Sequence, residues 1–313
     1  VEDGRRLLAN VVASQASFHA PYGGVVPEVA SRHHLELLLP VLEEALQQAG
    51  CRPADVDALA VTIGPGLAGS LLVGVNLAKA LAYAWGRPLV AVNHLEAHIY
   101  ANWLQPGEPP RLPALCLVVS GGHTELVLME DHGRYVRLGG TLDDAAGEAF
   151  DKVARLLGLG FPGGPAIERA AAASGSSRLR LPRARTRGAY DFSFSGLKTH
   201  VLRLLQGEHG EVPPPPEVAA SFQEAVVDAL VEKVVRAAQE HEAAEVMLVG
   251  GVAANRLLRE ELSRRCTLPV RVPPPSLCTD NGAMVAACGY YRLTLFGEEA
   301  PLDVDVRPGL RLA

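Results

Sequence analysis

Short apolar runs alternate with longer segments of helical spacing along the first third of the chain. Leu7–Ser14, Val56–Ile63 and Pro88–Val92 read as strands. His34–Gln48, Leu67–Trp85 and His94–Leu104 read as helices. Ser31 is the expected cap of the first helix, and Gly50 stands where it should stop. Gly64-Pro65-Gly66 turns the chain into the second. Glu2–Arg5 has the chemistry of a hairpin turn, which requires a strand ahead of it. The expectation is therefore either that the sequence begins inside a longer protein or that its first strand is absent. Strand, helix, strand, helix is the order of an α/β layer fold.

Gln105–Pro113 is the expected linker, with four prolines and a glycine. After it the strands resume at Ala114–Val119, Glu125–Met129 and Tyr135–Leu138. A helix to Leu157 follows, then the rigid Phe161–Pro165 loop. Beyond a proline connection at Glu211–Pro216, Glu217–Glu242 has sustained helical spacing. Glu245–Val249 reads as a strand, and Cys278–Gly282 opens a last helix to about Leu295.

Composition narrows the classes. The chain has 313 residues, is 48% hydrophobic and carries a net charge of −6, so it is not a generally basic nucleic-acid binder. Five cysteines without a CxxC pair read as reduced residues of a cytoplasmic protein. Leu67–Trp85 is long enough for a membrane span, but Ser70, Asn76 and Lys79 make it a buried helix, enclosed by the core or completed by a partner.

Four features carry candidate chemistry. His94 and His98, one helical turn apart, can reach one metal ion. Asp280 is either a helix cap or a third ligand, since two histidines and a carboxylate leave coordination positions open. Two Gly-Gly turns, Ser120–Thr124 between strands and Gly250–Asn255 between a strand and a helix, present backbone N–H groups that suit a phosphate. Their alternative reading is that of ordinary tight turns. Arg178, Arg180, Arg183, Arg185 and Arg187 form either an RNA contact or a solvated loop. Glu96 lies between the two histidines, but at 100° per residue it falls on the opposite face. It is expected to be structural, which argues against a metallopeptidase.

Taken together, several stretches resemble the tRNA N6-adenosine threonylcarbamoyltransferase family, called TsaD in bacteria and formerly described as glycoproteases. They are Gly23–Glu28, Gly64–Leu67, His94–His98, Ser120–Thr124, Asp144–Lys152, Phe161–Pro165, Asp191–Lys198, Gly250–Arg256 and Cys278–Met284. The resemblance implies a two-lobed α/β fold of the actin/sugar-kinase/Hsp70 (ASKHA) type with an interlobe ligand cleft. One lobe would span residues 1–113 and be joined by the last helix and tail, about 283–313. The other would span 114–282. It implies transfer of a threonylcarbamoyl group from threonylcarbamoyl-AMP to N6 of the adenosine 3′ of the anticodon, in tRNAs reading A-starting codons. A non-catalytic scaffold subunit is the alternative.

The resemblance further implies that His94, His98 and Asp280 hold one iron or zinc ion. Val118, Val119, Ser120, Gly121, Gly122, Asp151, Gly164 and Asn255 match residues that hold the adenylate. Asp151 and Glu148 are the candidates for a general base. The implied partners are tRNA, a TsaB-type paralogue that dimerises through the first lobe, with Leu67–Trp85 as a suitable part of that surface, and a small TsaE-type ATPase; no membrane is implied. Family members begin with a strand that this sequence lacks, so impaired catalysis is a further expectation.

Overall fold

The computed structural model describes residues 1–174, 179–184, 186–208 and 210–313. In chain order the principal elements are α1 (Pro27–Ala49), β1 (Leu59–Gly64), α2 (Ala68–Trp85), β2 (Leu89–Asn93) and α3 (His94–Tyr100). Then come β3 (Ala114–Val119), β4 (Thr124–Asp131), β5 (Arg134–Gly140), α4 (Ala146–Leu156), α5 (Gly163–Ala172), α6 (Ser195–Leu205) and α7 (Pro215–Glu240). The chain ends with β6 (Glu245–Val249), α8 (Arg256–Arg265), β7 (Val270–Arg271) and α9 (Gly282–Phe296). They form two compact units. The first comprises Val1–Phe18, Val25–Pro110 and Thr279–Ala313; the second comprises His19–Gly24 and Arg111–Cys278.

In the first unit β1 and β2 pair in parallel. Helices α2 and α9 pack on them, and α9 also packs on α3. Gly289 permits the close approach of α9, because a Cβ there would stand 2.5 Å from that of Ala60. Tyr100, Trp103 and Tyr291 form an aromatic cluster with centroids 4.9–6.0 Å apart. The segment after α9 runs back along the sheet. Ala300 N–H donates to the Leu89 carbonyl, Arg307 N–H to that of Ile63, and Gly66 N–H to that of Pro308.

Three expectations need correction here. The Glu2–Arg5 turn forms, closed by an antiparallel bridge between Glu2 and Arg6. Leu7–Ser14, however, is not a strand: it has no ladder partner among the described residues, and Leu7 and Val12 are exposed. The first helix starts at Pro27, not after Ser31, whose hydroxyl donates to the Pro27 carbonyl inside the helix. Proline suits this first position, where its missing N–H would have had no partner anyway. Helix α2 is only partly buried. Val75 and Ala82 face the core, while Leu72 and Tyr83 are exposed, the latter by 80%. Among the described residues no helix is long and apolar enough to cross a membrane.

The second unit is built on a five-stranded sheet in the order β5-β4-β3-β6-β7. The β5-β4-β3 side is antiparallel, and the β3-β6-β7 side is parallel. Every residue of β3 and β6 is buried, as expected for strands covered on both faces. Phe150 of α4 meets Phe222 of α7 edge to face at 5.3 Å, at the heart of the core formed with Leu115, Leu117, Val246 and Leu248.

Candidate metal centre

The histidine pair and the aspartate lie in the first unit, although 182 positions separate His98 from Asp280 in sequence (280 − 98). Asn93, the last residue of β2, sets the start of the histidine helix. Its Oδ1 accepts from the N–H groups of Leu95 (2.8 Å) and Glu96 (3.4 Å), and its Nδ2 donates to the Arg311 carbonyl at 2.9 Å. Helix α3 is therefore capped in the ordinary way and also tied to the returning tail. Asp280 does not cap α9. That role belongs to Asn281, whose Oδ1 accepts from Met284 N–H at 2.9 Å, leaving Asp280 free to turn toward the histidines.

Both imidazoles place Nε2 near one oxygen, Asp280 Oδ1, at 3.4 Å (His94) and 3.2 Å (His98). The three ligand atoms lie within 4.8 Å of one another. Tetrahedral ligands about 2.0–2.2 Å from a common ion would stand about 3.3–3.6 Å apart, inside that bound. His98 is 1% exposed, and neither of its ring nitrogens has a well-directed hydrogen bond. Such a buried, unsatisfied nitrogen is costly in a purely structural cluster and is satisfied by an ion. The residues present thus fit a divalent metal.

Electrostatics agree with this. Burial pulls the His98 imidazole below its usual range, more than the nearby Asp280 carboxylate lifts it, and His94 adds to the depression. His94 is raised, because its hydrogen bond and attraction to Asp280 outweigh burial. Asp280 is held well below the ordinary carboxylate range: desolvation opposes this, and the two histidines prevail. At neutral pH His98 is neutral and Asp280 ionised, the forms that ligate metals.

Glu96 faces away, as its helical angle predicts. It is fully buried, and Oε2 accepts from Arg292 Nη2 at 2.6 Å and Nε at 2.7 Å. It locks α3 to α9 and is structural.

The glycine turns lie in the second unit, past the C-terminal ends of the parallel strands β3 and β6, where α/β sheets bind ligands. Val118 and Val119 are fully buried in β3 and offer only backbone. Ser120 closes its turn by donating N–H to the His123 carbonyl and accepting His123 N–H on Oγ. Gly147 at the start of α4 backs onto it; a Cβ there would stand 2.6 Å from the Ser120 carbonyl oxygen. Gly121, Gly122, Gly164 and Gly251 border open space. Gly250 has φ +93° and abuts the Val119 carbonyl, so it serves the fold.

Asp151 Oδ1 accepts from Gly163 N–H at 2.7 Å, and burial raises its carboxyl against that bond. Glu148 is paired with Lys152 at 2.8 Å. Asn255 is engaged at both ends: Oδ1 caps α8 through Leu258 N–H, and Nδ2 donates to Gln223. Of the five arginines, Arg178 and Arg185 lie outside the described residues. Arg180 and Arg187 are exposed, and Arg183 pairs with Asp228 at 2.7 Å. Sequence reasoning missed Asn93, Asn281 and Arg292. The two asparagines stand just before helical spacing begins, which is the signal that would have found them.

The TsaD family model, tRNA N6-adenosine threonylcarbamoyltransferase, matches residues 6–287. Proteins with that name from Thermomicrobium roseum and Bacillus subtilis are 56% and 50% identical over 338 and 319 aligned residues. The alignments cover all of this chain and 92% and 91% of theirs. Among solved structures, T. kodakarensis HypF is similar with a TM-score of 0.62 at 18% identity, over 82% of this chain and 43% of that one. Component A of the Acidaminococcus fermentans (R)-2-hydroxyglutaryl-CoA dehydratase gives 0.53 at 14%, over 93% and 90%. These two likenesses show a shared fold, of the ASKHA type.

Proposed function

The chain belongs to the tRNA N6-adenosine threonylcarbamoyltransferase family, and from that premise we propose how its residues divide the work. It is an acyltransferase that modifies tRNA, placing a threonylcarbamoyl group on N6 of the adenosine 3′ of the anticodon. We take threonylcarbamoyl-AMP as the donor. The observation that carries the reading is the convergence of His94, His98 and Asp280 on one point within a chain matched almost throughout by the family.

His94, His98 and Asp280 would hold one divalent ion, Fe2+ or Zn2+. Bound there, it supplies a Lewis acid for the carbamoyl carbonyl. The backbone at Gly121, Gly122 and Gly251, which borders open space, is assigned to the adenylate phosphate, with Ser120 and Gly164 beside it. In the transfer the adenosine N6 attacks the carbamoyl carbon, the C–N bond forms, the C–O bond to phosphate breaks and AMP leaves with its electron pair. N6 gives up a proton. Asp151 is the better acceptor, since burial raises its carboxyl whereas Glu148 is committed to Lys152. Val118, Val119 and Asn255 shape the turns from beneath.

Arg180 and Arg187 are exposed and support a tRNA contact. Leu35, Leu72 and Tyr83, exposed on α1 and α2, support the docking of a TsaB-type paralogue, with a TsaE-type ATPase completing the assembly. A tRNA substrate and five free cysteines support a cytoplasmic setting.

The test supplies threonyl-labelled threonylcarbamoyl-AMP, unmodified tRNA and the partner proteins. Label is expected on tRNA with the native chain and lost with His98→Ala. A native chain that stays folded and metal-loaded yet transfers nothing would favour the scaffold reading.

A further inference from the structure

Between α4 and α6 lies a cavity of about 240 Å3 lined by Lys152, Arg155, Leu156, Lys198, Thr199 and Leu202. None of these residues belongs to the metal triad or to the glycine turns. Its cations are built into the fold. The Asp144 side chain is 13% exposed and takes Lys152 Nζ on one oxygen and Lys198 Nζ on the other, each at 2.8 Å. Its neighbour Asp143 fixes the start of α6, accepting from Phe194 N–H at 2.8 Å and from Ser193 Oγ at 2.6 Å. The acidic pair thus holds both the helix and the two ammonium groups from below, and the lysines are more exposed than the carboxylate between them.

The site keeps capacity for an anion. An ammonium donates three hydrogen bonds. Lys198 gives one to Asp144, while Lys152 gives one to Asp144 and one to Glu148. Arg155 is anchored by donating to the Gly23 carbonyl and brings a third positive charge. Lys152 and Lys198 share Asp144 and Glu148, and Arg155 also lies within electrostatic reach of Asp151. Asp151 itself accepts from Gly163 N–H, and the donor capacity left on the two ammonium groups is what remains for an anion. Leu156 and Leu202, 38% and 39% exposed, give the cavity apolar walls suited to a sugar beside a phosphate.

We propose that this cavity binds a backbone phosphate of the tRNA. The inference rests on the tRNA-transferase reading and adds a place where the polyanion is gripped. A chain with a net charge of −6 needs a local cationic foothold for such a substrate. The position fits as well. Helix α4 begins against the Ser120 turn at Gly147, and Lys152 and Arg155 follow roughly 8–12 Å further along at 1.5 Å per residue. A phosphate held there flanks a nucleotide presented near the turn.

The experiment measures binding of unmodified tRNA to the full chain by fluorescence anisotropy across a range of salt concentrations, and binding of ATP to the same samples. Lys198→Gln is expected to weaken tRNA binding roughly 3- to 10-fold and to make the slope of log K against log salt shallower by about 0.7–1. ATP affinity should not change, and Lys198→Arg should restore the slope. Thr199→Glu leaves the Asp144 pairs in place and puts a negative charge in the cavity; it should weaken tRNA binding most at low salt. An unchanged salt slope in Lys198→Gln and Thr199→Glu would overturn the proposal. So would an equal loss of ATP binding, which would assign the cavity to a free nucleotide. Transfer of label by the native chain tests the function separately, so the two failures are distinguishable.

Discussion

The two units carry chemistry in opposite ways. In the first, three side chains from two distant stretches converge, and the proposed metal binding depends on what those side chains are. In the second, the proposed phosphate contacts of the turns after β3 and β6 use bare backbone at glycines. An imidazole site is damaged by removing atoms, a glycine turn by adding them. The difference also separates two kinds of glycine. Gly250 and Gly147 have backbone atoms pressed against them and serve the fold, whereas the side-chain positions of Gly121, Gly122 and Gly251 face open space.

The largest effect should come from the side-chain site. His98→Ala removes one of the three proposed ligands and is expected to weaken Zn2+ binding more than about 100-fold, read by competition with a chelator. Retention of the ion would show that His94 and Asp280 suffice. Gly250→Ala comes next. With φ +93° and the Val119 carbonyl in the way, it should cost about 2–3 kcal/mol in urea unfolding. Gly121→Ala should stay within about 0.5 kcal/mol in the same measurement, yet weaken adenylate binding. Equal unfolding costs would erase the distinction between the two kinds of glycine. The smallest effect concerns support. Asn93→Ala deletes the cap of α3 and should cost about 1 kcal/mol, with a loss of metal affinity well short of that in His98→Ala. A loss as large as that of His98→Ala would make Asn93 part of the site itself.

Legibility in the sequence follows the same division. The limits of β3 and β6 were readable to the residue, because strands buried on both faces are continuous apolar runs ended by glycine or serine. The histidine spacing and the opposite face of Glu96 followed from helical geometry alone. The start of α1 was not readable, since Pro27 looks like loop punctuation until its helix is seen. Leu7–Ser14 is apolar enough for a strand, but a strand is defined by its partner, and periodicity says nothing of partners. Asp280 and Asn281 are adjacent, and both are good caps. Only the fold decides that Asn281 caps and Asp280 turns to the histidines. The Lys152–Asp144–Lys198 bridge spans two helices, and no local spacing announces it.

The distance in sequence between His98 and Asp280 has a consequence during synthesis. At about 5–20 residues per second, the nascent chain exposes its two imidazoles roughly 10–35 s before the carboxylate emerges from the ribosome. In that interval a His-x-x-x-His half-site is open to any cellular cation with an affinity for imidazole. Under the proposed metal assignment, the complete three-ligand set exists only once translation has passed Asp280, not when the histidine helix first forms.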